Sequence, residues 1–371
     1  MQNNIYQRLG LNAVINAAGK MTALGGSAQA SEVAAAQADA AQWHVDLQAL
    51  RDCAGERIAK YTGAEAGCVS TGAAAGIAIA VAACITGTRL DRIIRLPDSS
   101  GLVNRVVLQA GHDVHFGASV EQMIRLGGGA PVSIGWANSV PFELLESALG
   151  DGTGTAAFLF VQSHHSIQEQ MIALDDCVRA CHRRSVPVIV DAAAEEDLQC
   201  YIATGADLVT YSGGKAIGGP TAGFICGRRD LIEACELQTR GIARAMKVGK
   251  EQIAGLLVAL ERYVSRDQSV ETARRSQLVG EIIRSLTTVD GLSATLMADE
   301  AGRGIERIAL ALTRGNLRDF VRFLAEGSPS IRTRNHHIDD GIVLIDPREI
   351  TVQHVPAIVA RIQAFFATQR K

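Results

Sequence analysis

Short apolar runs alternate with segments of helical pattern through most of this chain. Seven of these runs predict strands, at residues 66–70, 92–96, 131–136, 156–162, 186–190, 208–211 and 222–226. Helices are predicted between them at residues 73–85, 102–110, 142–149, 174–184 and 198–204. This alternation is typical of a mainly parallel sheet with helices on both faces. Ligands of such sheets bind beyond the carboxyl ends of the strands, so the residues that follow each strand are the first candidates for function.

The pattern changes on either side of this region. Helices are predicted at residues 31–60, 250–263, 317–326 and 355–369, and strands at residues 302–312 and 341–345. The sequence therefore predicts an N-terminal arm, a large α/β domain and a smaller C-terminal α+β domain, at residues 1–45, 46–264 and 265–371. The 371 residues are 47% hydrophobic but only 4% aromatic, which suits a large core of closely packed helices on a sheet.

Charge, hydropathy and cysteine usage narrow the function. The formal net charge is −3 and no segment carries a long basic run, so we expect no nucleic-acid partner. The first ten residues do not resemble a secretory signal, and the apolar segment 73–85 is too short to span a bilayer, so we expect no membrane partner. Eight scattered cysteines without a CxxC pair indicate reduced thiols in a cytoplasmic protein. Cys177, Cys181 and His182 are too few for a convincing metal site, so no metal is expected.

A turn of small residues follows the first predicted strand. Ser70, Thr71, Gly72 and Ala73 lead into the alanine-rich helix at residues 73–85. Small residues let a ligand approach the backbone closely, and the free N–H groups and dipole of a helix N-terminus attract a phosphate. The same residues also suit a turn that is merely tightly packed, so both interpretations remain open for this motif alone.

An acid stands at a second strand end. Asp191 directly follows the buried run at residues 186–190. A carboxylate there is costly unless a cation or a hydrogen-bond donor meets it, and a protonated ring nitrogen would do so. The alternative is an aspartate that caps the following turn, which is common.

A lysine stands at a third strand end. Lys215 lies among four glycines in the segment 212–220, an unusual setting for a solvated surface lysine. A buried lysine readily loses its proton, which makes it a nucleophile and then a base. The alternative is a flexible loop that contains an incidental lysine.

Two histidines stand at a fourth strand end. His164 and His165 follow the strand predicted at residues 156–162. An imidazole in this position can stack on a cofactor ring or exchange protons with a substrate, although a lone histidine is more often structural.

In combination, these motifs match what a pyridoxal-phosphate (PLP) site requires. Asp191 precedes Lys215 by 24 residues, and the phosphate-type turn lies far upstream. The three motifs would supply a partner for the pyridine nitrogen, a Schiff-base lysine and an anion cradle. A nicotinamide site matches less well, because it needs a GxGxxG turn and this sequence contains none.

Two segments resemble a known family. Residues 212–223 resemble the lysine motif of the selenocysteine synthase superfamily of fold type I PLP enzymes, and residues 16–25 resemble its opening loop. Together with residues 163–165, the residues of these two motifs resemble the D-glucosaminate-6-phosphate ammonia-lyase branch of this superfamily more than its other branches. The resemblance spans nearly the whole chain and implies an aspartate aminotransferase-like α/β fold. Bacterial selenocysteine synthases carry an extra N-terminal tRNA-binding domain. This sequence begins almost directly with the opening loop and is slightly acidic, so we expect no seryl-tRNA substrate.

The resemblance also implies roles for the candidate residues. Lys215 is expected to carry the cofactor, Asp191 to meet its ring nitrogen, and His164 or His165 to face the cofactor or substrate. The other expected cofactor contacts, from one subunit or its neighbour, are Ser70, Thr71, Gly72, Ala73, Ser212, Gly219 and Thr221. The expected substrate contacts are Arg334 for a carboxylate, Arg244 for a phosphate, and Thr22. For the basic cluster of Arg240, Arg244 and Lys247, a solvated helix face is the alternative.

The predicted reaction is an α,β-elimination. A small 2-amino-3-hydroxy acid, such as D-glucosaminate 6-phosphate or a related sugar acid, would yield a 2-keto-3-deoxy acid and ammonia. Lys215 or one of the two histidines would remove the Cα proton. The resemblance further implies a homo-oligomer with active sites at a dimer interface, to which the arm at residues 1–45 contributes. The rival functions are selenium transfer to seryl-tRNA, a racemase, an aldolase, and a non-catalytic binding protein.

Overall fold

The structure, a computed structural model, describes residues 4–163, 166–299 and 304–368. Its strands are β1 (Val14–Ala17), β2 (Ala66–Ser70), β3 (Arg105–Gln109), β4 (Ala130–Ile134), β5 (Thr155–Val161), β6 (Val188–Asp191), β7 (Leu208–Ser212), β8 (Gly223–Gly227), β9 (Leu292–Ala298), β10 (Glu306–Leu312), β11 (Ser330–Thr333) and β12 (Val343–Ile345). Its helices are α1 (Ile5–Arg8), α2 (Ser31–Gln42), α3 (Leu47–Thr62), α4 (Ala73–Thr86), α5 (Leu90–Ile93), α6 (Val120–Leu126), α7 (Phe142–Leu149), α8 (Leu174–His182), α9 (Cys200–Ala203), α10 (Arg229–Leu237), α11 (Lys250–Ser265), α12 (Gln268–Leu286), α13 (Leu317–Ala325) and α14 (Val355–Thr368).

The chain forms two compact units. The larger comprises Gln29–Ser265, and the smaller comprises Met1–Ala28 with Arg266–Lys371. Helix α2 therefore belongs to the larger unit, whereas the contribution of residues 1–45 to a dimer interface stays a prediction.

A seven-stranded sheet organises the larger unit. Its strand order is β2-β8-β7-β6-β5-β3-β4. Strand β8 runs antiparallel to both of its neighbours, and the other pairs in the sheet are parallel. The predicted α/β fold with a mainly parallel seven-stranded sheet is therefore confirmed.

Successive residues of each central strand pack into different cores, as the pleat of a strand requires. Phe158, Val190 and Val209 belong to one core, which also includes residues of α3, α7, α8 and α11. Their chain neighbours Leu159 and Ile189 belong to the other core, which includes residues of α4, α6 and α10. Because both faces of the sheet are covered, its strands are apolar throughout, and this is why they are visible as continuous runs in the sequence.

Helix α4 packs closely on the sheet and is largely buried. Eleven of its fourteen residues are buried, and most are alanine, isoleucine or valine. A Cβ atom on Gly76 would lie 3.1 Å from the side chain of Thr210 on β7, so only a residue without a side chain fits there unstrained. This close packing brings the first turn of α4 to the carboxyl end of β2. None of the helices in the described residues is both long and apolar enough to cross a bilayer.

The smaller unit combines two small sheets with α12, α13 and α14. Strands β1 and β11 pair in parallel, and β9, β10 and β12 form an antiparallel sheet. A buried ion pair joins Arg307 Nε on β10 to Asp346 Oδ2, 3.0 Å apart. Burial opposes ionisation of this carboxyl, but Arg348 and Arg307 together hold the pKa of Asp346 well below its usual value.

Two of the predicted elements are wrong. A strand is predicted at residues 92–96, but α5 and a turn occupy this segment, and Ile94 is 65% exposed. A helix is predicted at residues 102–110, but β3 runs through this segment with Val106 and Val107 fully buried. Both segments are rich in apolar residues, so apolar density does not tell them apart. Each segment also contains a pair of β-branched residues, Ile93-Ile94 and Val106-Val107, so β-propensity does not separate them either.

A buried aspartate lies at the amino edge of the large sheet, where β6 and β7 begin. Asp207 is 3% exposed and accepts hydrogen bonds from Val188 N at 2.8 Å and Arg228 Nη1 at 3.0 Å. Its carboxylate also contacts the imidazole of His182 at 2.9 Å. We predict that Asp207→Ala lowers the free energy of unfolding by about 1–3 kcal/mol, because the buried N–H group of Val188 loses its acceptor and Arg228 loses one of its two carboxylate partners. Urea unfolding followed by circular dichroism measures this change.

The matched control is Asp230→Ala. Asp230 pairs with the same arginine, but its side chain is 63% exposed. This change should therefore cost less than about 1 kcal/mol. Equal losses in the two variants would show that the Asp207 network does not stabilise the sheet.

Candidate active site

Two of the predicted motifs flank one glycine at the carboxyl edge of the sheet. Ser70, at the end of β2, and Ser212, at the end of β7, both pair with Gly223 on β8. Neighbouring strands lie about 4.8 Å apart, so the two serines are separated by roughly 10 Å. The structure therefore brings the turn after β2 and the lysine loop after β7 together at one place.

The turn between β2 and α4 leaves the backbone accessible. Gly72 has a φ of 151°, and a Cβ atom on Gly223 would lie 2.9 Å from the Cα of Gly72. Ser70 Oγ donates a hydrogen bond to the carbonyl of Gly72 at 3.0 Å. Among the described residues, no side chain caps the first turn of α4, which begins at Ala73. Its N–H groups can therefore bind an anion, as the sequence predicts.

Asp191 is the last residue of β6, and its buried carboxyl group accepts hydrogen bonds from two donors. It is 6% exposed and accepts hydrogen bonds from Ala193 N at 3.1 Å and Thr210 Oγ1 at 3.3 Å. Burial raises the pKa of Asp191, and the positive charge of Lys215 counteracts this rise. The acid and the lysine are therefore electrostatically coupled. The ionised carboxylate has lone pairs left for a further donor.

Lys215 lies half-buried in a loop held by its own backbone. Gly213 N donates to Ala222 O at 2.7 Å, Gly219 N donates to Gly213 O at 2.7 Å, and Gly218 N donates to Lys215 O at 3.1 Å. These bonds fix the backbone of the lysine, so the loop is not a flexible connection. The role of Lys215 stays a prediction.

A polar cavity of about 330 Å³ opens beside these two motifs. Thr71 and Thr221 both line it, although they lie on different loops. Lys247 lines this cavity and also a second, smaller one that includes Arg244. The predicted phosphate-binding residues and part of the predicted basic cluster are therefore neighbours.

Two other predicted site residues belong to the smaller unit. Thr22 is exposed in a 3₁₀ turn, and Arg334, 9% exposed, follows β11; both belong to the smaller unit. Arg334 exchanges backbone hydrogen bonds with Leu344, each 2.9 Å long. His164 and His165 fall outside the described residues.

The cysteines show no pairing. All eight are free thiols, and Cys177 and Cys181 are buried in α8. Burial raises the pKa of Cys181 to about 12, which makes it a poor metal ligand or nucleophile. Within the described residues, no three His, Cys, Asp or Glu side chains are grouped so as to hold a metal ion.

Some residues at this edge were not predicted from the sequence. Thr210 supports the carboxylate of Asp191, and three glutamines, Gln29, Gln37 and Gln252, line the larger cavity. His112 is fully buried after β3, its Nδ1 accepts a hydrogen bond from Val161 N at 3.2 Å, and burial lowers its pKa to about 4. The only available signal was for Thr210, which lies near the end of a predicted strand.

Several known proteins are similar to this chain in sequence. The family model for L-seryl-tRNA selenium transferase (SelA) matches residues 189–298. D-glucosaminate-6-phosphate ammonia lyase of Salmonella typhimurium is 46% identical over 98% of both chains. The 5′-C-glycyluridine monooxygenase-decarboxylase of a Streptomyces species is 42% identical over 96% of this chain and 91% of its own. L-seryl-tRNA(Sec) selenium transferase of Desulfomicrobium baculatum is 26% identical over 78% of this chain and 64% of its own.

Solved structures share its fold. The structure of a D-glucosaminate-6-phosphate ammonia-lyase matches with a TM-score of 0.93 and 44% identity over 100% of both chains. Serine palmitoyltransferase of S. paucimobilis, with a bound PLP–myriocin aldimine, matches with a TM-score of 0.58 over 96% of this chain and 88% of its own. Its identity is 14%, so this second match concerns the fold alone. The predicted fold type I architecture is confirmed.

The coupling between Asp191 and Lys215 can be measured directly. We predict that Lys215→Met raises the pKa of Asp191 further, since the cation that opposes the effect of burial is lost. Isotope-edited infrared titration of the aspartate carboxyl band reports this pKa. Lys247→Met, which removes an exposed cation, is the control and should leave the Asp191 band unchanged. An unchanged Asp191 pKa in the Lys215 variant would mean that the two groups are not coupled.

Proposed function

Since this chain belongs to the same family as D-glucosaminate-6-phosphate ammonia lyase of Salmonella typhimurium, we propose that it is a PLP-dependent ammonia-lyase. Its substrate is a 2-amino-3-hydroxy acid, in the first place D-glucosaminate 6-phosphate. Its products are the 2-keto-3-deoxy acid and ammonia. The observation that carries this proposal is the 46% identity over nearly the full length of both chains, together with the TM-score of 0.93.

The residues at the sheet edge suit this cofactor. The carboxylate of Asp191 can accept one more hydrogen bond, which suits a protonated ring nitrogen. The turn at Gly72 is kept clear of side chains because Gly223 packs against it. The uncapped N–H groups of α4 suit a phosphate. When bound, PLP supplies an electron sink for negative charge at the substrate's Cα atom.

Several tasks fall to the chain's own residues in this proposal. Lys215 Nζ is the covalent anchor of the cofactor and then the base that takes the proton from the substrate's Cα. Asp191 keeps the ring nitrogen protonated, because its negative charge is buried with no bulk water to screen it. The cofactor and its phosphate are held by Ser70, Thr71, Gly72, Ala73, Ser212, Gly219 and Thr221, from one subunit or its neighbour. His164 or His165 would be a second proton carrier.

The substrate's anionic ends need cationic partners. We assign its carboxylate to Arg334, whose planar guanidinium can bind both carboxylate oxygens. Arg244, exposed beside Lys247, is assigned to the substrate phosphate, and Thr22 to a polar contact. These three assignments rest on the family resemblance and on residue chemistry.

We further propose a cytoplasmic homo-oligomer with active sites at a dimer interface. The eight free cysteines suit a reducing compartment. Trp43, Val45 and Leu47 are 68%, 50% and 41% exposed around the connection between α2 and α3. Such an apolar group on one surface favours burial against a second copy of the chain.

Loss of the lysine tests the proposed reaction. We predict that Lys215→Ala lowers ammonia release from D-glucosaminate 6-phosphate by roughly 10³-fold or more, because the variant lacks both the cofactor anchor and the base. Borohydride should fix PLP to the peptide that contains Lys215 in the wild type and not in the variant. Lys60→Ala, at an exposed position on α3, is the control and should keep full activity.

A second candidate function has its own support. The 42% identical relative is a monooxygenase-decarboxylase that is named for 5′-C-glycyluridine. Oxygen uptake and carbon dioxide release with 5′-C-glycyluridine, without ammonia release from any amino sugar acid, would replace the lyase proposal. Full activity of Lys215→Ala would overturn both proposals.

The molar mass of the protein in solution tests the proposed interface between copies of the chain. We predict that Trp43→Glu lowers the molar mass measured by multi-angle light scattering, since it places a charge in an apolar contact between copies. Trp136→Glu is the control, because Trp136 is also exposed, at 59%, but lies on a different loop. An unchanged mass for the Trp43 variant would place the interface elsewhere.

A further inference from the structure

The cavity beside the cofactor residues carries an arrangement of amides that the proposed reaction does not use. Gln29, Gln37 and Gln252 line it, together with Thr71 and Lys247. Resting on the proposed function, we infer that these glutamines bind the hydroxyl groups of the substrate's carbon chain and so select a polyhydroxylated sugar acid phosphate. They would determine specificity rather than take part in the bond-breaking steps.

The first two glutamines are held as a pair. Gln37 Nε2 donates a hydrogen bond to Gln29 Oε1. Gln37 lies on α2 and packs on α11 at Gly255, where a Cβ atom would lie 2.7 Å from the Cγ of Gln37. The close approach of these two helices therefore fixes the start of the side chain. Beyond their shared bond, the pair still has an amide oxygen and N–H groups that can meet a ligand.

The third glutamine also lies beside a glycine. Gln252 lies in the first turn of α11, and its Oε1 atom occupies the place where Gly249 would carry a Cβ atom. Any residue other than glycine at position 249 would displace this amide. Gln37 and Gln252 thus each lie against a glycine, which leaves room for their side chains.

Amides suit hydroxyl groups better than they suit ions. A glutamine side chain both donates and accepts hydrogen bonds, as a hydroxyl group does, and it carries no charge that attracts other anions or cations. The volume of about 330 Å³ is at the lower end for small-molecule sites. A chain of a few hydroxyl-bearing carbons is the class of ligand that matches both properties.

The cations at one end of the cavity determine the orientation in which the ligand would bind. Lys247 supplies a cation at the side where this cavity meets the smaller one that contains Arg244. A terminal phosphate would lie there, where two cations are available. Thr71 and Thr221, which are also assigned to the cofactor phosphate, line this cavity, so the substrate's carbon chain would begin beside the cofactor and extend past the glutamines to Lys247.

Binding of a substrate analogue that cannot react tests the inference. The probe is 6-phospho-D-gluconate, which has a hydroxyl in place of the 2-amino group and so cannot release ammonia. Isothermal titration calorimetry on the PLP-loaded protein should give about three- to tenfold weaker binding for Gln37→Leu and for Gln252→Leu, the loss expected for one neutral hydrogen bond. Inorganic phosphate should bind both variants as it binds the wild type, and Lys247→Met should weaken both ligands.

Matched controls separate this effect from misfolding. Gln122→Leu, at an exposed position on α6 away from the cavity, should bind the probe as the wild type does. The glutamine variants should keep the wild-type circular dichroism and thermal midpoint, and Gln29→Leu provides a third variant if Gln37→Leu fails to fold. Wild-type affinity in all folded glutamine variants, or uridine binding in place of the probe, would overturn the inference.

The inference and the proposed function can fail separately. Ammonia release with unchanged probe affinity in the variants would overturn the glutamine site and leave the lyase standing. Glutamine-dependent probe binding without ammonia release from any amino sugar acid would overturn the lyase and support the site.

Discussion

Asp191 keeps an ionisable carboxyl group where only 6% of its residue surface meets water. Burial favours its neutral form, so the charged form depends on Ala193 N–H, on Thr210 and on the charge of Lys215. Each of these partners is held by another part of the carboxyl edge: the turn after β6, the strand β7, and the glycine loop. The geometry of the whole edge is therefore tied to the stability of one negative charge, and a cationic ring nitrogen would complete the set.

Small residues shape the surroundings of this edge. Alanines and Gly76 allow α4 to lie directly on the sheet, Gly223 keeps the turn at Gly72 free of side chains, and Gly255 allows α2 to approach α11. The first two contacts build a cradle for an anion, and the third builds a wall of the neighbouring cavity. Only 4% of the residues are aromatic, and this low share agrees with a structure built on close contacts between small residues.

Features that depend on local pattern were predictable from the sequence. The buried runs of β5, β6 and β7 stood out because both faces of the sheet are covered, and the strand-end rule then placed Asp191 and Lys215 at one edge. Features that depend on distant pairing were not predictable. The pairing of Val14 with Ser330 joins the N-terminus to the smaller unit, and the glutamine cavity requires the packing of α2 on α11. The strand predicted in place of α5 and the helix predicted in place of β3 were wrong because apolar density alone does not distinguish a helix from a strand.

The position of β8 in the sheet has a consequence for the order in which the site is assembled. The pairing of β8 with β7 closes a short hairpin around Lys215, whereas its pairing with β2 joins Gly223 to Ser70, about 150 residues away along the chain. Local contacts form early in folding, and contacts of long sequence separation form late. We therefore expect the lysine loop to form before the phosphate turn reaches it, since the latter requires the pairing of β8 with β2. Competence to hold the cofactor would then mark a nearly finished folding reaction rather than help to start one.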